Sequence, residues 1–413
     1  NRVTLTAGGA FFLWSLASAW VSNDAPGFWR ALWHPLWAAF GQSQGAISIS
    51  PYRTIEGVAA FLGPACAFAI GALAMRDRED RDWAGRFIMV LCASYAILAL
   101  TLAATAPEAF GGRLRATLGS PNAAATAFGA MALFLCALIF RAARGRLSGL
   151  HLQATGARYG WASLLQSAPI TLAVLALTVA CLLLTGSRGG LAAFAGAFLV
   201  LASLLRAPAA REKSEGRGLH LALLALVGLA GLLFIFGGSY VLSRIGSIEI
   251  DAENRRMMID AHWRVFLERP LLGHGLNTFH ELNAHAATPE NYQALRRIGS
   301  AHNIFVQLLE EQGLIGAILF VLMLAPPLWR GLTASLSDRS GAEWAAAAIA
   351  AATLCLAHGA VDFGLQIPAL GALFSFALGA FAAAADSRAA NDDVKSAPKA
   401  AASFRFRTLD PSV

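Results

Sequence analysis

The sequence predicts an all-α, polytopic membrane protein of ten or so spans with one large helical loop outside the cytoplasm. Three observations carry that expectation. Of 413 residues, 57% are hydrophobic and only 14% charged, and the mean hydropathy is +0.56, whereas soluble domains carry about 25% charge. The apolar residues fall in blocks of about 17–25, the length a helix needs to cross roughly 30 Å of hydrocarbon. Lys and Arg collect in alternate short loops, as the positive-inside bias requires. Together these exclude a soluble enzyme, a disordered chain and a disulfide framework. The five cysteines, Cys66, Cys92, Cys136, Cys181 and Cys355, lie inside apolar runs and read as small buried hydrophobes.

The spans, in order, are 7–21, 55–75, 84–105, 123–140, 162–184, 189–205, 218–237, 304–329, 342–358 and 369–386. The first does not read as a cleavable signal peptide, because no small-residue cleavage site follows it. The loops 76–86, 141–158 and 206–217, the flanks Arg330 and Arg339, and the tail after 387 hold most of the basic residues. All fall on one side of an alternating ten-span arrangement. The opposite short loops carry only Arg30, Arg53, Arg113, Arg115 and Arg188. The basic side is therefore assigned to the cytoplasm, with both chain ends inside. The net charge of +7 needs no nucleic-acid partner; it is topology signal and contact with anionic membrane lipids. The chain divides into spans over 1–237, a large loop over 238–303, further spans over 304–386 and a disordered tail over 387–413.

Within the loop, 251–270 reads as an amphipathic helix with Asp251 as N-cap and Pro270 as its stop. A glycine-punctuated turn follows at Gly273–Gly275. Thr288 and Pro289 are expected to open a second short helix. Ser300 is expected to cap the next helix, which puts His302 in its first turn. There the positive helix end disfavours imidazolium and leaves a neutral ring able to take a proton. The alternative is a histidine that only caps a helix at the membrane surface. Arg188, between two apolar runs, is either a snorkelling anchor or a fixed cation facing an anionic substrate. His358 and Asp362, at the outer end of the ninth span, read as functional or as part of a structural Asp–Arg pair. Glu310 and Glu311 read as solvated or paired to an arginine. His274, His280 and His285 match no metal-ligand spacing, so neither a metal nor another cofactor is expected.

In this topology Asn122, Arg188, Arg255, Arg256, His302, His358 and Asp362 share the outer face. Nucleotide donors are generally confined to the cytoplasm, so chemistry there needs a donor activated beforehand and carried across, and a lipid diphosphate fits. Arginines bind and stabilise the diphosphate as negative charge grows on it. A neutral histidine takes the proton of an attacking hydroxyl.

These pieces together resemble the O-antigen ligase / O-antigen polymerase family of bacterial polyprenyl-diphosphate-linked glycan transferases. The matching residues are Gly119–Asn122, Thr185–Gly190, the run from Arg255 to Pro270 with Gly273–Gly275, His302 and Asn303 with Glu310–Gly316, and His358–Pro368. The resemblance implies a GT-C-like helical fold in the inner membrane with its active site facing the periplasm, and more spans than the ten counted. It implies His302 as catalytic base, Arg188 and Arg255 as diphosphate ligands, with Arg256 able to replace Arg255 because Ile259 departs from the family's usual aromatic residue, and Asn122, Asn303, His358 and Asp362 in support. The expected reaction moves a glycan from undecaprenyl diphosphate to an acceptor hydroxyl, with inversion and without metal. The acceptor is lipid A core in a ligase, or another glycan in an O-antigen or exopolysaccharide polymerase. A flippase for lipid-linked sugars is the reading from another class; the one-sided polar cluster and the lack of internal repeat argue against it.

Overall fold

The computed structural model describes residues 2–23, 28–74, 78–106, 112–150, 169–209, 248–337 and 341–380. The expected span 218–237 and the tail 387–413 lie outside these residues. Helices build the fold: α1 (Arg2–Ser18), α2 (Phe28–Leu32), α3 (Pro35–Ala39), α4 (Pro51–Ala74), α5 (Arg78–Thr105), α6 (Pro121–Leu150), α7 (Pro169–Leu184), α8 (Arg188–Ala209), α9 (Ile248–Glu268), α10 (Phe279–Ala286), α11 (Tyr292–Leu295), α12 (Ile304–Ser335), α13 (Ala342–Gly359) and α14 (Pro368–Ala380). A two-residue antiparallel ladder pairs Ser22–Asn23 with Gln44–Gly45.

Among the described residues six helices are long and apolar enough to cross a membrane: α4, α5, α6, α8, α12 and α13. Two more apolar helices, α7 and α14, are shorter. The chain is thus a multi-pass helical membrane protein. Burial sorts the spans. In the most apolar stretches of α6 and α13, 72% of residues are buried inside the protein, against 11% in α4 and 17% in α5. An apolar helix with its surface left outside the protein suits a lipid neighbour, so α4 and α5 are peripheral and α6 and α13 central. Ala346, Ala347, Ala350 and Ala351 of α13 let α6 and α8 approach closely through Leu133, Ala137, Ala197 and Leu201, the small-residue packing that membrane interfaces favour.

α12 is broken. Gly313 has φ 62° and ψ −173°, a conformation open to glycine and strained for other residues. The loop 270–275 fills the break: Leu314 N–H donates to the Pro270 carbonyl (2.8 Å), and the N–H groups of His274 and Gly275 donate to the carbonyls of Glu310 (3.0 Å) and Glu311 (2.7 Å). These bonds satisfy with protein groups the backbone positions that they reach at the kink. A Cβ on Gly273 would sit 2.5 Å from the Glu311 oxygen, so this close approach needs glycine on both sides.

The helix starts differ from expectation in three places. α9 begins at Ile248, which puts Asp251 inside its first turn instead of at its cap. The short helix after Thr288 and Pro289 begins at Tyr292; the Asn291 side chain bonds back to Thr288 N–H (2.6 Å) and Ala286 O (2.9 Å) and holds the intervening residues in a turn. α12 is capped by Asn303, not Ser300: Asn303 Oδ1 accepts from the N–H groups of Phe305 (3.0 Å) and Val306 (3.1 Å). His302 therefore precedes the helix, and the first-turn argument for its neutral ring does not apply.

Candidate active site

One end of the bundle gathers the C-termini of α7 and α13 and the N-termini of α6, α8, α12 and α14. The contacts across it are polar. Asp362, 1% exposed, follows α13. Its Oδ1 lies 3.4 Å from Nδ1 of His302 and 3.2 Å from Nδ2 of Asn122, at the start of α6. A carboxylate only accepts, so Nδ1 of His302 carries the proton, and in the neutral ring Nε2 then keeps its lone pair. The His302 side chain is 24% exposed. The ring stands edge-on to Phe363, centroids 5.1 Å apart. His302 also has φ 51°, the left-handed region that a β-substituted residue adopts at a cost.

His358, 2% exposed, bonds through Nδ1 to Thr126 Oγ1 (2.8 Å). Its ring lies against the start of α8. A Cβ on Gly189 would touch the ring at 3.4 Å, and one on Gly190 would come within 2.5 Å of the Ala125 methyl and 3.3 Å of the ring. Ser187 caps α8 by accepting from Gly190 N–H (3.1 Å). Arg188 is the first residue of that helix and half-buried. The half-buried Arg255 of α9 lies close enough for its charge to act on His358, as does Asp362 one turn on. Arg256 is different: its side chain is 75% exposed and pairs with Asp260 at 3.8 Å, an exposed pair that contributes little.

So Asn122, His302, His358 and Asp362 are brought together, Arg188 starts the helix whose glycines pack on His358, the charge of Arg255 reaches His358, Asn303 serves the backbone beside them, and Arg256 faces outward. Sequence reasoning missed Arg113 and Thr126. Arg113 donates from Nε to the Thr185 carbonyl (2.9 Å) and from Nη2 to Asn122 Oδ1 and the Gly186 carbonyl (both 3.3 Å). In sequence it is one of several arginines in an outer loop; the available signal was its nearness to Asn122.

A second polar cluster lies under α9. Glu310 and His262, both fully buried, bond at 2.8 Å, and the His262 ring stacks on Phe279. Glu311 accepts from Asn277 N–H (2.7 Å) and the Gln307 amide (2.9 Å). Neither glutamate is solvated, and their partners are a histidine, an amide and a backbone N–H, not an arginine, because the Gly313 break turns this stretch of α12 inward.

His274 and His285 are bonded to other groups. His274 donates from Nε2 to the Val265 carbonyl (2.9 Å) and accepts at Nδ1 from Nε2 of His34 (2.8 Å), whose Nδ1 accepts from Leu36 N–H (3.3 Å). Burial, then the His274 ring and Arg269, push His34 down to about 3, and burial lowers His274 as well. Arg269 ties the same region together by donating to the carbonyls of Ile47 (2.7 Å) and Leu32 (2.8 Å). His285 pairs with Glu268 at 3.0 Å. Among the described residues no group of three or more His, Cys, Asp or Glu is placed to hold a metal ion.

Comparison with curated proteins gives no match. A family model described as O-Antigen ligase matches residues 173–321. That segment takes in Arg188, Arg255 and His302 and leaves Arg113, Asn122, His358 and Asp362 beyond its ends. Over residues 173–321 the chain is therefore similar to the O-antigen ligase family.

Proposed function

We propose that the protein is a periplasm-facing, GT-C-type glycosyltransferase of the bacterial inner membrane, with about ten spans, that moves a glycan from undecaprenyl diphosphate to a hydroxyl of the lipid A core. The observation that carries this reading is the His302–Asp362–Asn122 chain bordered by Arg188 and Arg255. His302 Nε2 removes the proton from the acceptor hydroxyl. The acceptor oxygen attacks the anomeric carbon, the bond from that carbon to the diphosphate oxygen breaks, and undecaprenyl diphosphate leaves with the bonding pair. Attack opposite the leaving group inverts the centre. Asp362 holds the ring and stabilises the imidazolium that forms.

Arg188 and Arg255 bind the diphosphate and meet its growing charge. The N-termini of α6, α8, α12 and α14 add positive dipole ends at the same place. His358 packs the start of α8 in position, and Asn303 fixes the turn beside the base. Arginines and helix ends supply the electrostatics, so the scheme asks for no metal. Outer placement is supported by the arginines at the far ends of the helices, such as Arg86, Arg141, Arg206 and Arg330.

The test is purified protein in nanodiscs with labelled undecaprenyl-diphosphate glycan, offered either lipid A core or a second lipid-linked glycan. Glycan on lipid A core is the expected product. Chain extension would instead identify a polymerase, and product on neither would remove the transferase reading.

A further inference from the structure

The proposed reaction requires one tautomer of His302, with Nε2 bare. Asp362 selects that tautomer only while its Oδ1 stays beside Nδ1. Oδ1 is shared with Asn122, whose amide presents Nδ2 to it at 3.2 Å. An amide can be turned either way. The opposite orientation would set Asn122 Oδ1 against the carboxylate, acceptor against acceptor. What prevents it is Arg113, whose Nη2 donates to Asn122 Oδ1 at 3.3 Å. A guanidinium has no acceptor, so it accepts only this orientation of the amide.

The same guanidinium donates to the carbonyls of Thr185 and Gly186, at the turn where Gly186 has φ 58° and from which Ser187 and Arg188 start α8. One fork thus holds the base on one side and the start of a diphosphate-binding helix on the other. We propose that Arg113 is a positioning residue that fixes the His302 tautomer through Asn122 and Asp362 and, through the turn at Thr185 and Gly186, sets Arg188 relative to that base. The proposal rests on the reaction assigned above.

The experiment reads the tautomer directly. Protein labelled with ¹⁵N-histidine in nanodiscs is compared with its His302→Ala variant, so that the His302 signals come from the difference. Wild type is expected to show a protonated Nδ1 and a bare Nε2. Arg113→Met and Asn122→Ala are expected to give a mixture of tautomers and to lower kcat at least 10-fold, while Arg113→Lys, with one donor group in place of a fork, falls between. Arg113→Met is expected to raise the donor KM as well, and Asn122→Ala, which spares the turn, is not. If Arg113→Met does not fold, Asn122→Ala and Arg113→Lys decide. An unchanged Nδ1–H signal and kcat in these variants, with His302→Ala inactive, would overturn the relay and leave the transferase intact. A fully active His302→Ala would instead remove the transferase reading, and with it the basis of the relay.

Discussion

His302 and Asp362 stand 60 residues apart in the chain, yet Nδ1 of one lies 3.4 Å from Oδ1 of the other. A buried carboxylate with one oxygen on an imidazole orients that ring and fixes its proton. Asp362→Asn keeps the shape but removes the charge that stabilises the imidazolium formed in the reaction. We expect kcat to fall by about 10²–10⁴-fold, the usual range for a mispositioned general base. Donor binding, measured in parallel, is expected to stay within a few-fold of wild type.

The arginines are predicted to differ. Arg188→Lys and Arg255→Lys replace a planar fork with a point charge. Each is expected to weaken donor binding about 10-fold, roughly 1.4 kcal/mol, and to lower kcat as well. Arg256→Lys, at an exposed pair with Asp260, is expected to leave both within about two-fold. Titration of the variants with lipid diphosphate checks the order; equal losses at all three positions would contradict it.

Acid is expected to weaken the outer region before it touches the spans. His34 sits at about 3 in the folded protein against 6.5 in an open chain. The neutral pair with His274 therefore contributes its full stability above pH 6.5 and loses it progressively as pH falls from 6.5 towards 3. A melting temperature that drops across this window, and a flatter profile in His34→Gln, are the expected results.

Gly313→Ala is expected to destabilise the protein by about 3 kcal/mol or more. It places a side chain at φ 62° and drives its Cβ into the Leu271 carbonyl and Gly273 N–H. Unfolding curves in detergent read this directly. A chelator, by contrast, is expected to leave turnover unchanged, since the cations assigned to the diphosphate are arginines.

Long-range contacts separate what was legible in the sequence from what was not. Apolar length identified the spans α4, α5, α6, α8, α12 and α13, because a helix cannot cross hydrocarbon without it. His358 and Asp362 stood out as polar groups at the end of such a span. Arg113 did not, because an arginine in a short loop reads as topology charge until its three acceptors are seen. The cap at Asn303 depends on the left-handed turn of His302, which residue type alone does not specify. The burial of Glu310 and Glu311 depends on a loop some forty residues upstream filling a break at a glycine. The His34–His274 pair joins residues 240 apart, beyond any local pattern.

The most direct test is glycan transfer by His302→Ala in nanodiscs, with donor binding measured on the same preparation. The account predicts donor binding near wild type and transfer lowered by at least 10²-fold. Transfer at the wild-type rate would contradict it.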